Sequence, residues 1–369
     1  MQNKKLKILE ICPFSAGIGG VWTRVEQEAR EFKKLGHEIT ILSSDREEGT
    51  NKIAKSEDVI SGIKISRLSS NQGYLDRLIL SKNVTYFEPG KSIKEIKPDV
   101  VITHLLHPHS FKALKMCQKL NIPCYLVTHA PFNVKRNFLL NIAKKGFDRK
   151  TVKPNINEFT KIITITKWEE PYLRELGADE NNFVYIPNGL PEEFFVLKKI
   201  KPTKQILFLG RIAPVKNLEV LISAAKKLPE IEFSIVGMAE SDYLKKLQKS
   251  IAKSKNVRIL PPIYDLKQKI GLIDKHRIFV LPSKREAMPQ VLLEAMSRGK
   301  LVISSKTDGG KEIIWDNQNG FLFSDTSDLI RLIKENKSGN KKIQDLARKD
   351  SKQYRWSNLI KSYLKIFKK

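Results

Sequence analysis

This 369-residue sequence is poor in cysteine: Cys12, Cys117 and Cys124 are all it has. They form no CxxC pair and no metal-ligand spacing, which excludes a disulfide scaffold and a cysteine-based zinc site and leaves buried free thiols as the expectation. No apolar run approaches the ~20 residues of a membrane-spanning helix. The opening MQNKKLKILEICPF runs straight into a strand pattern and carries no secretion signal. A cytoplasmic protein is therefore expected. No period repeats along the chain, which excludes a solenoid. Acidic residues are also scarce, 40 Asp and Glu against 67 Lys and Arg, for a formal net charge of +27. Such a surface attracts acidic ligands, anionic membranes and nucleic acid, and charge does not choose among them. No RNA-binding motif or helix-turn-helix is present, so a nucleic-acid partner is not expected.

What is present is a packed-core composition, 41% hydrophobic, in regular alternation. KKLKILEIC (residues 4–12) reads as a strand, PFSAGIGG as a small-residue loop, TRVEQEAREFKKLGHE as an amphipathic helix ending at Gly36, and EITILSS as the next strand. Further strands are read at DVVITH, PCYLVTH, KIITIT and NFVYIPN. After a charged connector the alternation restarts at QILFLGR and continues through IEFSIVG, NVRILPP, RIFVLPS, KLVISS and GFLF. Strands alternating with helices predict parallel α/β sheets, and the restart predicts two domains, residues 1–192 and 193–354. A last amphipathic segment, RWSNLIKSYLKIF, lies within 355–369.

The motifs fall at strand ends. In PSKREAMPQVLLEAMSRGKLVISS, Glu286 is read into a loop and Glu294 onto the helix behind it, with Pro289 suited to the first helical turn. A helix start near Ala287–Val291 can hold a phosphate, and carboxylates accept hydrogen bonds from sugar hydroxyls. Gly210-Arg211 and Lys216, in FLGRIAPVKN, place two cations on one strand-to-helix loop, able to converge on a diphosphate. The loop Gly17-Ile18-Gly19-Gly20 lets backbone approach an anion, but Trp22 stands where a dinucleotide fingerprint needs glycine. His129 ends a strand in LVTHAPF; it is read as a general base or as a structural strand-end histidine. His104, His107 and His109 lack a clean metal geometry around Pro108 and are expected to line the acceptor side of a cleft.

This order of motifs resembles the E-x7-E and GR-x4-K pattern of retaining glycosyltransferase family 4, from Lys7 to about Phe323. The resemblance implies the GT-B fold, two Rossmann-like domains facing each other across a cleft, with the last helix returning to the first domain. It implies catalytic roles for His129, Arg211, Lys216 and Glu286: the two cations on the departing diphosphate, the other two on the donor sugar. It implies substrate contacts at Gly19, Gly20, Asn188 in its P-N-G turn, Gly237, Ile263, Ala287, Met288, Pro289, Gln290, Val291 and Glu294, the last on the ribose. The reaction implied is transfer from a UDP- or GDP-sugar to a glycan, glycolipid or lipid-linked acceptor in surface-polysaccharide assembly. Front-side displacement is implied, with no metal and no cofactor. The phosphate loop departs from the family in reading Glu286-Ala287-Met288-Pro289 instead of E-G-F-G or E-G-x-P, so no positive φ is expected at 287. A UDP-sugar 2-epimerase on the same fold and a basic nucleic-acid-binding protein are the alternatives.

Segment 134–153, VKRNFLLNIAKKGFDRKTVK, carries seven Lys and Arg against Asp148 and interleaves apolar residues. That composition suits an interfacial segment docking on an anionic membrane face, peripheral to the inner leaflet. A lysine-rich helix packed on its own domain is the other reading.

Overall fold

The fold is built around parallel strands whose residues are apolar on both faces, which forces helices to cover both sides of each sheet. The structure is a computed structural model describing residues 5–14, 19–46, 53–70, 87–130, 138–197 and 200–368, without the side chains of 138–140 and 204. Gly17, Ile18 and residues 134–137 lie outside these. The chain divides into two compact units, Met1–Gly189 with Trp356–Lys369, and Leu190–Arg355.

In the first unit β1 (Lys7–Cys12), α1 (Gly20–Lys34), β2 (Glu38–Ser44), β3 (Glu57–Ile60) and β4 (Ile63–Leu68) come first. They are followed by α2 (Gly90–Ile96), β5 (Val100–His104), α3 (Pro108–Leu120), β6 (Cys124–Val127), α4 (Phe138–Phe147), β7 (Lys161–Thr164), α5 (Glu170–Glu175) and β8 (Phe183–Tyr185). The strand order among the described residues is β3-β4-β2-β1-β5-β6-β7-β8. All neighbours are parallel except β3 and β4. That antiparallel pair was not expected from the sequence. It turns at Ser61-Gly62, both with positive φ, between the paired Ile60 and Ile63, the geometry a two-residue hairpin needs. α1 buries Val25, Ala29 and Phe32, the stripe of an amphipathic helix, and the chain leaves it through Gly36 at φ 87.

The second unit runs β9 (Lys204–Leu209), α6 (Leu218–Lys227), β10 (Phe233–Val236), α7 (Ser241–Ile251), β11 (Val257–Leu260), α8 (Leu266–Lys275) and β12 (His276–Leu281). It continues with α9 (Gln290–Ser297), β13 (Leu301–Ser305), α10 (Asp308–Ile313), β14 (Phe321–Phe323), α11 (Thr326–Glu335) and α12 (Lys341–Ser351). Its sheet order is β11-β10-β9-β12-β13-β14, all parallel. The polar stretch before the last helix, where no element was predicted, holds α11 and α12, each capped by a side chain: Asp325 accepts from Asp328 N and Asn340 from Ile343 N. Pro289 sits one place earlier than expected, as the cap residue before α9.

The final helix, α13 (Trp356–Phe367), belongs to the first unit. It buries Trp356, Ile360 and Tyr363. Buried Arg24 of α1 fixes it there, donating to Glu28 Oε2 (3.1 Å), Asn188 Oδ1 (3.0 Å), Ile186 O (3.1 Å) and Tyr363 Oη (3.0 Å). Its guanidinium lies 5.3 Å from the Trp356 ring centroid. A Cβ on Gly189 would fall 2.4 Å from that ring, which explains the glycine in the P-N-G turn. Each unit is a Rossmann-like domain. In such sheets ligands bind beyond the carboxyl ends of the strands, where the strand order reverses. Those points are β1/β5 in the first domain and β9/β12 in the second.

Candidate functional site

In the second domain the two arms of the switch point meet through an ion pair. β9 ends at Gly210-Arg211, and a 3-10 turn over Pro214–Lys216 follows. β12 ends ahead of the loop bearing Ser283 and Glu286. Lys284 N donates to Val215 O (2.8 Å), tying the loops together. Lys216 Nζ and Ser283 Oγ both donate to Glu286 Oε1, each at 2.6 Å. Both members of this ion pair are largely buried, with side chains 19% and 11% exposed. Arg211 is more exposed, 3.8 Å from Glu240 Oε1, a separation that constrains it weakly. It is therefore available to an incoming anion.

Glu294 faces inward from α9, its side chain 3% exposed. Lys269 of α8 donates to its Oε1. Its Oε2 is buried and has no hydrogen-bond partner among the described residues. A buried carboxylate oxygen without a donor is costly, and a ligand hydroxyl would satisfy it.

The phosphate loop is shaped by a glycine that sequence reading passed over. Gly309 N donates to Glu286 O (3.2 Å), and a Cβ at 309 would fall 2.3 Å from Ala287 O. The start of α10 thus packs directly on the 286–287 backbone. Ala287 is not among the residues with positive φ, which accounts for the missing family glycine. Ala287, Gln290 and Val291 are half-buried around the start of α9; Met288 and Pro289 are buried, so the Met288 side chain packs into the core. At Gly237 a Cβ would lie 1.8 Å from Gly210 O, so the packing of two strand ends requires the glycine. Ile263 is half-buried beyond β11, beside exposed Tyr264.

In the first domain Gly19 caps α1, its carbonyl accepting from Thr23 N and Oγ1 (both 3.0 Å). Gly20 opens the helix, and a Cβ there would meet nothing within 4 Å. Among the described residues no packing contact requires this glycine. Asn188, expected at the ligand, is buried, and its Oδ1 accepts from Arg24 Nη1.

His129 follows β6 and is held at φ 57, with Ala130 at φ 52. Two consecutive non-glycine residues in the left-handed region cost energy that their surroundings must offset. His129 Nε2 lies 2.8 Å from His104 Nδ1, and His104 Nε2 lies 2.9 Å from Glu10 Oε2. His104 and His109 are completely buried, so they do not line a cleft as expected. His109 stacks on Phe87 and bonds His104 O and His107. Burial keeps all four imidazoles well below their usual pKa, His107 at about 4. Burial, with Glu28 reinforcing it, pushes the Glu10 carboxyl well up.

The strained His129 turn has a second support. Glu169 Oε2 accepts from Thr128 Oγ1 (2.7 Å), and its Oε1 accepts from the amides of Ile165 (2.6 Å) and Thr166 (3.1 Å). The Ala130 amide bonds it too. Burial nevertheless raises this carboxyl to about 7.

In segment 134–153, α4 leaves Ile142 and Lys145 exposed, and the helical turns after it expose Arg149, Lys150 and Lys153. Phe147 instead turns inward, edge-on to Phe111. Lys144 is held by Asp148 and Tyr172 Oη.

Two family models match the chain: "Glycosyltransferase Family 4" over residues 18–194 and "Glycosyl transferases group 1" over 191–353. An uncharacterized glycosyltransferase of Methanocaldococcus jannaschii is 24% identical, over 98% of each chain. The phosphatidyl-myo-inositol mannosyltransferase of Mycolicibacterium smegmatis is 26% identical, over 86% of this chain and 80% of its own. Among solved structures, Anabaena HepE in complex with UDP superposes with a TM-score of 0.76 at 17% identity, over 98% of this chain and 99% of that one, a likeness of fold.

Proposed function

This chain belongs to the group 1 and family 4 glycosyltransferases, and on that premise we propose that it transfers a sugar, with retention at the anomeric carbon, from a UDP- or GDP-sugar to a glycan, glycolipid or lipid-linked acceptor. The observation that carries the donor reading is the buried Glu294, with one oxygen on Lys269 and the other lacking a partner among the described residues. A vicinal diol such as a ribose supplies the missing donors. Arg211 and Lys216 neutralise the departing diphosphate, aided by the start of α9. Glu286 holds Lys216 in place and accepts from sugar hydroxyls, and His129 is the first domain's contact with the sugar. The leaving phosphate takes the acceptor's proton on the same face of the sugar, so neither an enzymatic nucleophile nor a divalent metal is needed.

Acceptors of the lipid class fit the exposed cations and Ile142 between 142 and 153, and this reading adds peripheral docking on an anionic membrane. The mannosyltransferase relative, whose name specifies a phosphatidylinositol, supports the same class.

The test is thermal stabilisation by UDP, GDP and ADP, with Arg211→Ala and Glu294→Ala alongside. A ligand at 100-fold its Kd adds about 2.7 kcal/mol. Stabilisation by one nucleotide, lost in both variants, is expected. Stabilisation by none would remove the reading.

A further inference from the structure

Glu10, His104 and His129 come from three neighbouring strands, β1, β5 and the end of β6, and form one continuous buried hydrogen-bonded arm. Both nitrogens of His104 are engaged. A neutral imidazole has one donor and one acceptor, so the proton positions along the arm are linked: fixing one end fixes the other.

Charge and hydrogen-bond accounting choose between the two arrangements. The buried cation of this cluster is Arg24, and its Nε already pairs with Glu28. Glu10 is thus a second buried carboxyl that forms no ion pair with Lys or Arg among the described residues; the charge of Arg24 reaches it and opposes its protonation, but burial and Glu28 act more strongly the other way. Its Oε1 is buried and without a partner among the described residues. Ionised, Glu10 would leave half its charge unsolvated; protonated, it donates O–H to His104 and leaves only a carbonyl oxygen unmatched, the smaller cost. His104 then donates from Nδ1 to His129 Nε2, and the His129 proton must sit on Nδ1. We infer that Glu10 and His104 are positioning residues that hold His129 as its Nδ1–H tautomer, so that the ring offers a hydrogen-bond donor to an oxygen of the ligand. The upward direction of the Glu10 pKa and the downward direction of both imidazoles agree with a neutral arm. The inference deepens the transferase reading, from which it takes His129 as a ligand contact; the proton's location stands apart from that reading.

The experiment is a long-range proton–nitrogen NMR spectrum of the full chain labelled with 15N-histidine, with His129 assigned through His129→Asn. The proton is expected on Nδ1 of His129 in the wild type. Glu10→Gln, whose amide N–H can still donate to His104, should keep it there. Glu10→Leu should move it to Nε2 or give a mixture. A wild-type proton on Nε2 would overturn the inference, as would an unchanged tautomer in Glu10→Leu. Should Glu10→Leu fail to fold, the wild-type spectrum decides alone. Once a donor is known, Glu10→Leu should lower kcat/KM roughly tenfold, a barrier change of about 1.4 kcal/mol, with Glu10→Gln near wild type. Failure of nucleotides to stabilise the protein would remove the transferase reading while leaving the tautomer result intact.

Discussion

Replacing Glu169 by Gln should abolish a specific pH dependence of the first domain's stability. Glu169 is buried, and its carboxyl titrates at about 7 in the folded chain against an ordinary value of 4.5. Between those values the folded protein holds a proton that the unfolded chain has released. Stability therefore falls as pH rises from about 4.5 to about 7, and levels off above. The gap corresponds to roughly 3 kcal/mol at 1.36 kcal/mol per pH unit. For a domain of this size 1 kcal/mol moves Tm by about 2–4 °C, so the effect is roughly 6–12 °C. The assay is thermal unfolding of wild type and Glu169→Gln at pH 5 and pH 8, followed by a first-domain probe such as Trp22 fluorescence. Wild-type Tm, measured relative to the variant, should drop by that amount across the interval. A gap equal at both pH values would refute the argument. It would mean that the four donors around Glu169 outweigh its burial and keep it ionised throughout.

Arg24→Met strands Glu28 in the interior and should cost about 3–5 kcal/mol, with faster hydrogen exchange across α13; unchanged exchange in residues 356–367 would contradict the clamp. Gly309→Ala forces a methyl onto Ala287 O and should cost about 1–3 kcal/mol while displacing Glu286 from Lys216. Nucleotide stabilisation should weaken accordingly, and a variant that binds like wild type would show the packing to be slack. Co-sedimentation with liposomes containing anionic lipid should be lost in a Lys145/Arg149/Lys150/Lys153→Glu variant and at high salt. Equal sedimentation of wild type and variant would sink the membrane role.

What the sequence disclosed was local. The periods of most strands and helices placed the parallel parts of both sheets, and the loop–helix carriage of Glu286 and Glu294 was readable from one segment. Lys216 was readable too, because its loop follows a strand. What stayed hidden was pairing across the sheets. Glu10 meets His104 over 94 positions and Lys269 meets Glu294 over 25, and nothing near any of them signals the partner. Glu169 stands beside Glu170 in KWEEPYL, and nothing local marks which of the two is buried. Met288, Gly237 and Asn188 were assigned to a ligand on the family resemblance; packing also uses all three, through the Met288 and Asn188 side chains and the missing one at Gly237. The missed helices α11 and α12 did carry a signal, the capping Asp325 and Asn340. The missed hairpin β3–β4 carried one in Ser61-Gly62.

The return of α13 to the first domain sets an order of assembly. Tyr363 closes over Arg24, and Phe367 stacks on Phe32 with ring centroids 5.8 Å apart, yet both are made only after the whole of Leu190–Arg355. At the usual ~5–20 residues per second, a ribosome leaves the nascent first domain unsealed for roughly 10–30 s. During that interval the charged groups around Arg24 are reachable by water, and the Phe32 face is a binding surface for chaperones. The second domain can fold as it emerges; the first is finished last.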